Sequence, residues 1–217
     1  MDPRKKAFID RILARSGTTP HINCNLCSSC GGRCCKDGAC GLMPVDIPKL
    51  TVQGIIEQLR SGKYSITFFC LEIVEGVVEA IPMMTAREVR AGTVNNSLFH
   101  RPCSLLTPNG CALSEEDRPT QALLFIPRPN NMCRSLLNSE DVLSAWLPYQ
   151  RILEEVVLLE TQKSSNQLFK EGCLAAVTHF RKRLAEVNGN IDALTFTDSE
   201  IRALQVLEKT GDIDYII

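Results

Sequence analysis

The chain has 217 residues, 44% of them apolar, and a formal net charge of −1. That apolar content excludes a disordered chain, and the length suffices for one large domain or two small ones. The near-zero charge excludes bulk electrostatic attraction to nucleic acid or to an anionic membrane.

The predicted elements begin with a short amphipathic helix over 3–15, opened by Pro3 and lined by Ala7, Phe8, Ile12 and Leu13. Residues 17–41 are too rich in Gly, Ser and Asn for regular structure. A helix is expected over 48–59, with Leu50, Ile55, Ile56 and Leu59 on one face. Strands follow over 64–74 and 77–83, and Glu75-Gly76 between them suits a hairpin turn. Residues 92–135, rich in Pro and Asn, read as a second irregular zone. From there the pattern is helical. Ser139 is the expected N-cap of a helix to about Lys163, interrupted at Pro148. Another runs over 165–187. Thr197-x-x-Glu200 reads as a capping box for a last helix through Lys209, closed by Gly211. The fold class is therefore α+β: a cysteine-rich region with a small hairpin at 1–138, then a helical region at 139–217. The C-terminal helices either pack on the first region or pair with a second copy.

The basic clusters Arg4-Lys5-Lys6 and Arg181-Lys182-Arg183 are short and read as solvated helix faces. The N-terminus is charged and carries no apolar signal region, and no apolar run reaches the length of a membrane span. The expected location is the cytoplasm, where thiols stay reduced. Aromatic residues make up 6% and no basic stripe interleaves them, so no nucleic-acid partner is expected.

The chemistry concentrates in the cysteines. Of eleven, six lie between Cys24 and Cys40, at Cys24, Cys27, Cys30, Cys34, Cys35 and Cys40. Such a group cannot be buried simply as small hydrophobes. In a reducing compartment it reads as metal ligands or reactive thiols. Cys24-x2-Cys27-x2-Cys30-x3-Cys34 matches the ligand run of bacterial ferredoxins, with Cys35 where that motif has proline. Arg33 and Lys36 would offset the negative charge of a four-thiolate centre. Cys103, Cys111 and Cys133 form a second group. His21 and His100 stand at ligand-like spacing from Cys24 and Cys103. Cys70 and Cys173 sit in apolar surroundings and read as core, and His179 lies on a helix with no cysteine beside it.

The run Cys27-x2-Cys30-x3-Cys34-Cys35, then Cys103-Ser-Leu-Leu-x3-Gly110-Cys111, Arg118-Pro119 and Cys133-Arg134, resembles the YkgJ-type cysteine-cluster family. That family is described as a zinc- or iron-chelating domain and includes the flagellin lysine N-methylase. The likeness covers roughly residues 24–135. It implies Cys27, Cys30, Cys34, Cys35, Cys103, Cys111 and Cys133 as metal ligands. The family's usual ending is Arg-Pro-x-x-Cys-Arg; here Ala122 holds the cysteine position, and Cys133 follows a second Arg128-Pro129. Either Cys133 replaces that ligand or the corner is altered. Cys24 and Cys40 are additional and are available to a second site.

The expected cofactor is an iron–sulfur cluster or Zn²⁺, in a structural or redox role. The ferredoxin-like spacing leans to iron–sulfur, whereas a zinc ribbon would use two separated C-x2-C knuckles. Two alternatives stay open. A methylase-like enzyme would need an S-adenosylmethionine site, but no Gly-rich fingerprint is present and catalytic residues are not assignable. A thiol switch would use the adjacent Cys34 and Cys35.

Overall fold

A computed structural model describes residues 1–17, 35–36, 40–72, 78–87, 94, 102–126, 134–196 and 198–209. The fold is helical with a small antiparallel sheet, so the α+β class holds. Helix α1 (Pro3–Ser16) starts where the Asp2 carboxylate accepts the Arg4 N–H at 2.7 Å, and it ends at Gly17, whose φ of 61° suits glycine. The two-residue strand β1 (Cys40–Gly41) leads into a 3₁₀ turn (Pro44–Asp46). Helix α2 (Val52–Arg60) begins later than the apolar pattern suggests, because the Thr51 hydroxyl caps it by accepting the Gly54 N–H.

Strands β2 (Ser65–Glu72) and β3 (Val78–Ala86) pair antiparallel, from Ser65 opposite Thr85 to Glu72 opposite Val78. The turn expected at Glu75-Gly76 lies outside the described residues. β1 joins the free edge of β3, with Cys40 opposite Ala86, giving the order β1-β3-β2. The second irregular zone holds small elements: β4 (Leu106–Thr107) paired with β5 (Gly110–Cys111), α3 (Thr120–Leu123), and β6 (Phe125–Ile126) paired with β7 (Arg134–Ser135).

The C-terminal helices follow the predicted order with shifted caps. α4 (Ser139–Trp146) is capped by Asn138 rather than Ser139, with a capping box to Asp141. Pro148 interrupts the helix as expected, through a 3₁₀ turn (Leu147–Tyr149) before α5 (Gln150–Thr161). α6 (Ser165–Glu186) is capped by Ser164, and α7 (Asp198–Lys209) follows. Glu200, the N3 residue of the expected capping box, lies in the first turn of α7. Its carboxylate is fully buried, takes two 2.8 Å hydrogen bonds from Arg183 and lies 3.4 Å from His179 Nδ1. Thr197 and Gly211 lie outside the described residues, and the expected capping box and helix stop lie there with them.

Strand alternation turns Cys40, Ile66, Met84 and Ala86 to one side of the sheet. There they meet Ile55, Ile56 and Leu59 of α2 and Leu153, Val156 and Val157 of α5 in the main core. Trp146 is fully buried in it and donates its indole N–H to the Leu42 carbonyl at 2.9 Å. A second cluster joins Ala80 to α6 and α7, and a third seats Ile9 and Ile12 of α1 on Met43, Leu123, Leu124 and Leu137.

In both basic clusters two residues are solvated as expected, Arg4 and Lys6 in one and Arg181 and Lys182 in the other, and one turns inward. Arg183 pairs with Glu200, and Lys5 is buried at 5% exposure, 3.2 Å from Asp46 Oδ1. Lys5 also donates to the Arg118 carbonyl. Asp46 in turn accepts the Met43 N–H at 2.8 Å, the Thr120 N–H at 2.9 Å and the Thr120 hydroxyl at 2.7 Å. One carboxylate thus ties α1, the 3₁₀ turn and the start of α3 together. Removing one partner of a buried pair leaves the other charge unmatched. Asp46→Ala is expected to lower stability by about 3–5 kcal/mol. Denaturant unfolding read on Trp146, the single tryptophan, checks this; a loss under about 1 kcal/mol would mean the pair is not a structural tie.

Candidate functional site

Four of the nine expected ligand cysteines are described, and they come from both halves of the pattern: Cys35 and Cys40 from the front, Cys103 and Cys111 from the middle of the chain. A backbone hydrogen bond joins the two halves, from the Cys103 N–H to the Cys35 carbonyl at 2.7 Å. Cys40 and Cys103 are buried members of the main core, and Cys35 and Cys111 are half-buried against it.

Each cysteine is set by a local element. Cys40 is held on β1 by pairing with β3. Next to it, the Gly41 N–H donates to the Gln121 side-chain carbonyl, which draws α3 over the strand. Cys111 is placed by the β4–β5 hairpin, where it lies opposite Leu106. The ladder continues through the Ala112 N–H to the Leu105 carbonyl at 2.8 Å, and the Leu106 N–H closes a turn onto the Cys103 carbonyl. Gly110 has a φ of 105°, a conformation that glycine allows without strain and that lets the hairpin return.

The electrostatics show that these groups sense one another. Burial pushes the Cys40 thiol far above its usual range. The nearby Cys103, Asp46 and Cys111 add to the rise, and a hydrogen bond from the Ala122 backbone opposes it. Tyr64, half-buried, is raised by burial first and then by Asp46, Cys103 and Cys111. The Ser104 hydroxyl bonds the Lys63 carbonyl and so holds that segment against the Cys103 turn. Asp46 has its oxygens committed to Lys5, Met43 and Thr120.

Cys24, Cys27, Cys30, Cys34 and Cys133, and the imidazoles of His21 and His100, lie outside the described residues. Among the described residues, no group of three or more His, Cys, Asp or Glu is arranged to hold a metal ion. The expected core cysteines divide: Cys173 is fully buried, whereas Cys70 is half-buried. His179 faces Glu200. The sequence reading missed Asp46 and Tyr64 near the cysteines, since neither lies in a cysteine motif. It set Cys40 aside with Cys24 for a second site, whereas Cys40 lies against Ala122, the position where the resemblance expects a ligand.

The chain matches no protein-family model, no curated protein and no solved structure in the comparisons made. The family resemblance accordingly rests on the residues already named.

Exposure differs within the group, and thiol reactivity follows access. In metal-free native protein, iodoacetamide is expected to label Cys111 at least about tenfold faster than Cys40. Peptide mass spectrometry against time measures both; equal rates would mean that β1 does not shield Cys40.

Proposed function

We propose that this chain is a metal-binding protein of a reducing compartment, holding an iron–sulfur cluster or zinc through cysteine thiolates. One observation carries the reading. The Cys103–Cys35 backbone bond and the shared core position of Cys40, Cys103 and Cys111 bring two described cysteines of the front group to two of the middle group. Sequence spacing alone does not require that meeting.

The donor chemistry fits the group. Thiolates select zinc and iron–sulfur centres over hard cations. Cys35, Cys40, Cys103 and Cys111 would contribute ligands, joined by Cys24, Cys27, Cys30, Cys34 and Cys133 from the flanking motif segments. Cys40, beside Ala122, is the natural candidate to fill the corner that the YkgJ-type pattern assigns to a cysteine there. The bound metal would supply a cross-link between segments that carry little apolar residue of their own. The protein's part is to bury Cys40 and Cys103, to direct the Ala122 backbone towards the Cys40 sulfur, and to keep Asp46 occupied elsewhere. Burial of two sulfurs favours a closed, structural centre over an open catalytic one.

Anaerobic purification with elemental analysis and a visible spectrum tests the reading. Broad near-visible absorption with iron and acid-labile sulfide identifies a cluster; colourless protein with zinc identifies the other metal. Cys40→Ser and Cys103→Ser are each expected to lower bound metal by about tenfold or more, whereas Cys173→Ala leaves it unchanged. Metal-free wild-type protein, or full metal content in both serine variants, would overturn the assignment.

A further inference from the structure

Two cysteines outside the candidate centre share an interface of their own. Cys70 lies on β2 opposite Ala80 of β3, on the face that strand alternation turns towards the helices. Helix α6 crosses that face. Its Asn166 side-chain carbonyl accepts the Ala80 N–H at 2.8 Å, and Cys173 stands two turns further along the same side of α6. Cys173 is fully buried in the cluster that contains Ala80 and Phe169, and Cys70 packs against that cluster. The two thiols also interact. Burial first, and then the neighbouring Cys70, push the Cys173 thiol up to about 12. Neither residue is in a disulfide.

We propose that Cys70 and Cys173 form a peroxide-sensitive thiol pair that closes into an intramolecular disulfide, fastening α6 to the sheet. The order of events follows exposure. Cys70 is partly open to solvent and Cys173 is not, so peroxide meets Cys70. The Cys70 thiolate attacks one peroxide oxygen; the O–O bond breaks, and hydroxide leaves Cys70 as a sulfenic acid. The Cys173 sulfur then attacks the Cys70 sulfur; the S–O bond breaks, and the hydroxyl departs with the Cys173 proton as water. Two thiols lose two electrons and two protons, and one hydrogen peroxide becomes two waters. Cys173 stays a protonated thiol until the sulfenic acid forms beside it, so the second step is slow. A disulfide also requires the two Cα atoms to come within roughly 7 Å, so its formation reports how closely α6 approaches β2 at this point. The pair is independent of the metal reading, because neither thiol belongs to the candidate centre.

The test uses the native full-length chain, treated with hydrogen peroxide, alkylated and digested with trypsin. Cleavage after Lys63, Arg87, Lys170 and Arg181 gives peptides 64–87 and 171–181, each with a single cysteine. The expected product is the two joined, about 2 Da lighter than the sum of the thiol forms, and separated again by dithiothreitol. In Cys173→Ala the linked product is absent and Cys70 proceeds to sulfinic acid. Wild-type protein in which Cys70 reaches sulfinic acid without the linked product would overturn the proposal. So would Cys70 joined to another cysteine, or both thiols recovered fully alkylated.

Discussion

The structure turns on one meeting point, where the Cys103 N–H reaches the Cys35 carbonyl and two stretches distant in sequence are brought together. A backbone bond of this kind is worth only about 1 kcal/mol by itself. It persists because packing on both sides fixes its ends. Cys40 is held by its pairing with β3, and Cys103 sits in the same buried cluster with Ile66, Met84 and Trp146. Trp146 adds its own tie, spanning from α4 to the Leu42 carbonyl just past β1. The described cysteines Cys35, Cys40, Cys103 and Cys111 therefore belong to a hydrophobic core rather than to a free-standing loop.

The Lys5–Asp46 pair governs how the helical N-terminus serves that edge. Asp46 organises the 3₁₀ turn after β1 and receives the N–H and hydroxyl of Thr120, so the Arg118-Pro119 turn is directed to the same place. Burying two charges is costly, and the cost is offset only where each remaining polar group finds a partner. Here Lys5 and Asp46 do so through backbone groups of two separate segments, at Met43 and at Arg118–Thr120. Gln121 then reaches Gly41, and the Ala122 backbone reaches the Cys40 thiol. A chain of polar contacts thus runs from α1 to the cysteines. The C-terminal helices use a parallel device, with buried Glu200 of α7 clasped by Arg183 of α6.

The sequence made the elements legible where one local signal dominates. Apolar periodicity and Pro3 located α1, and Pro148 marked the break between α4 and α5. Where several residues compete for one role, the outcome depended on tertiary partners. Asn138 took the cap expected of Ser139, because Asp141 completes its capping box and is itself clamped by Arg15, with bonds of 2.5 and 2.6 Å. That arginine also holds the Asp141 carboxyl below its usual range. Glu200 takes Arg183 as a partner that no local pattern announces. Lys5 looked like surface because its counter-charge lies far along the chain, where no local pattern can show it. The same holds for the site. Spacing identified the cysteines as chemically special, but the approach of Cys40 to Ala122 arises from β1 pairing and from the Asp46 network.

X-ray absorption at the metal edge of the anaerobically purified protein tests convergence of the sulfurs most directly. The account predicts a first shell made of sulfur, at about 2.3 Å for protein-derived thiolates. A first shell of oxygen and nitrogen alone would contradict it.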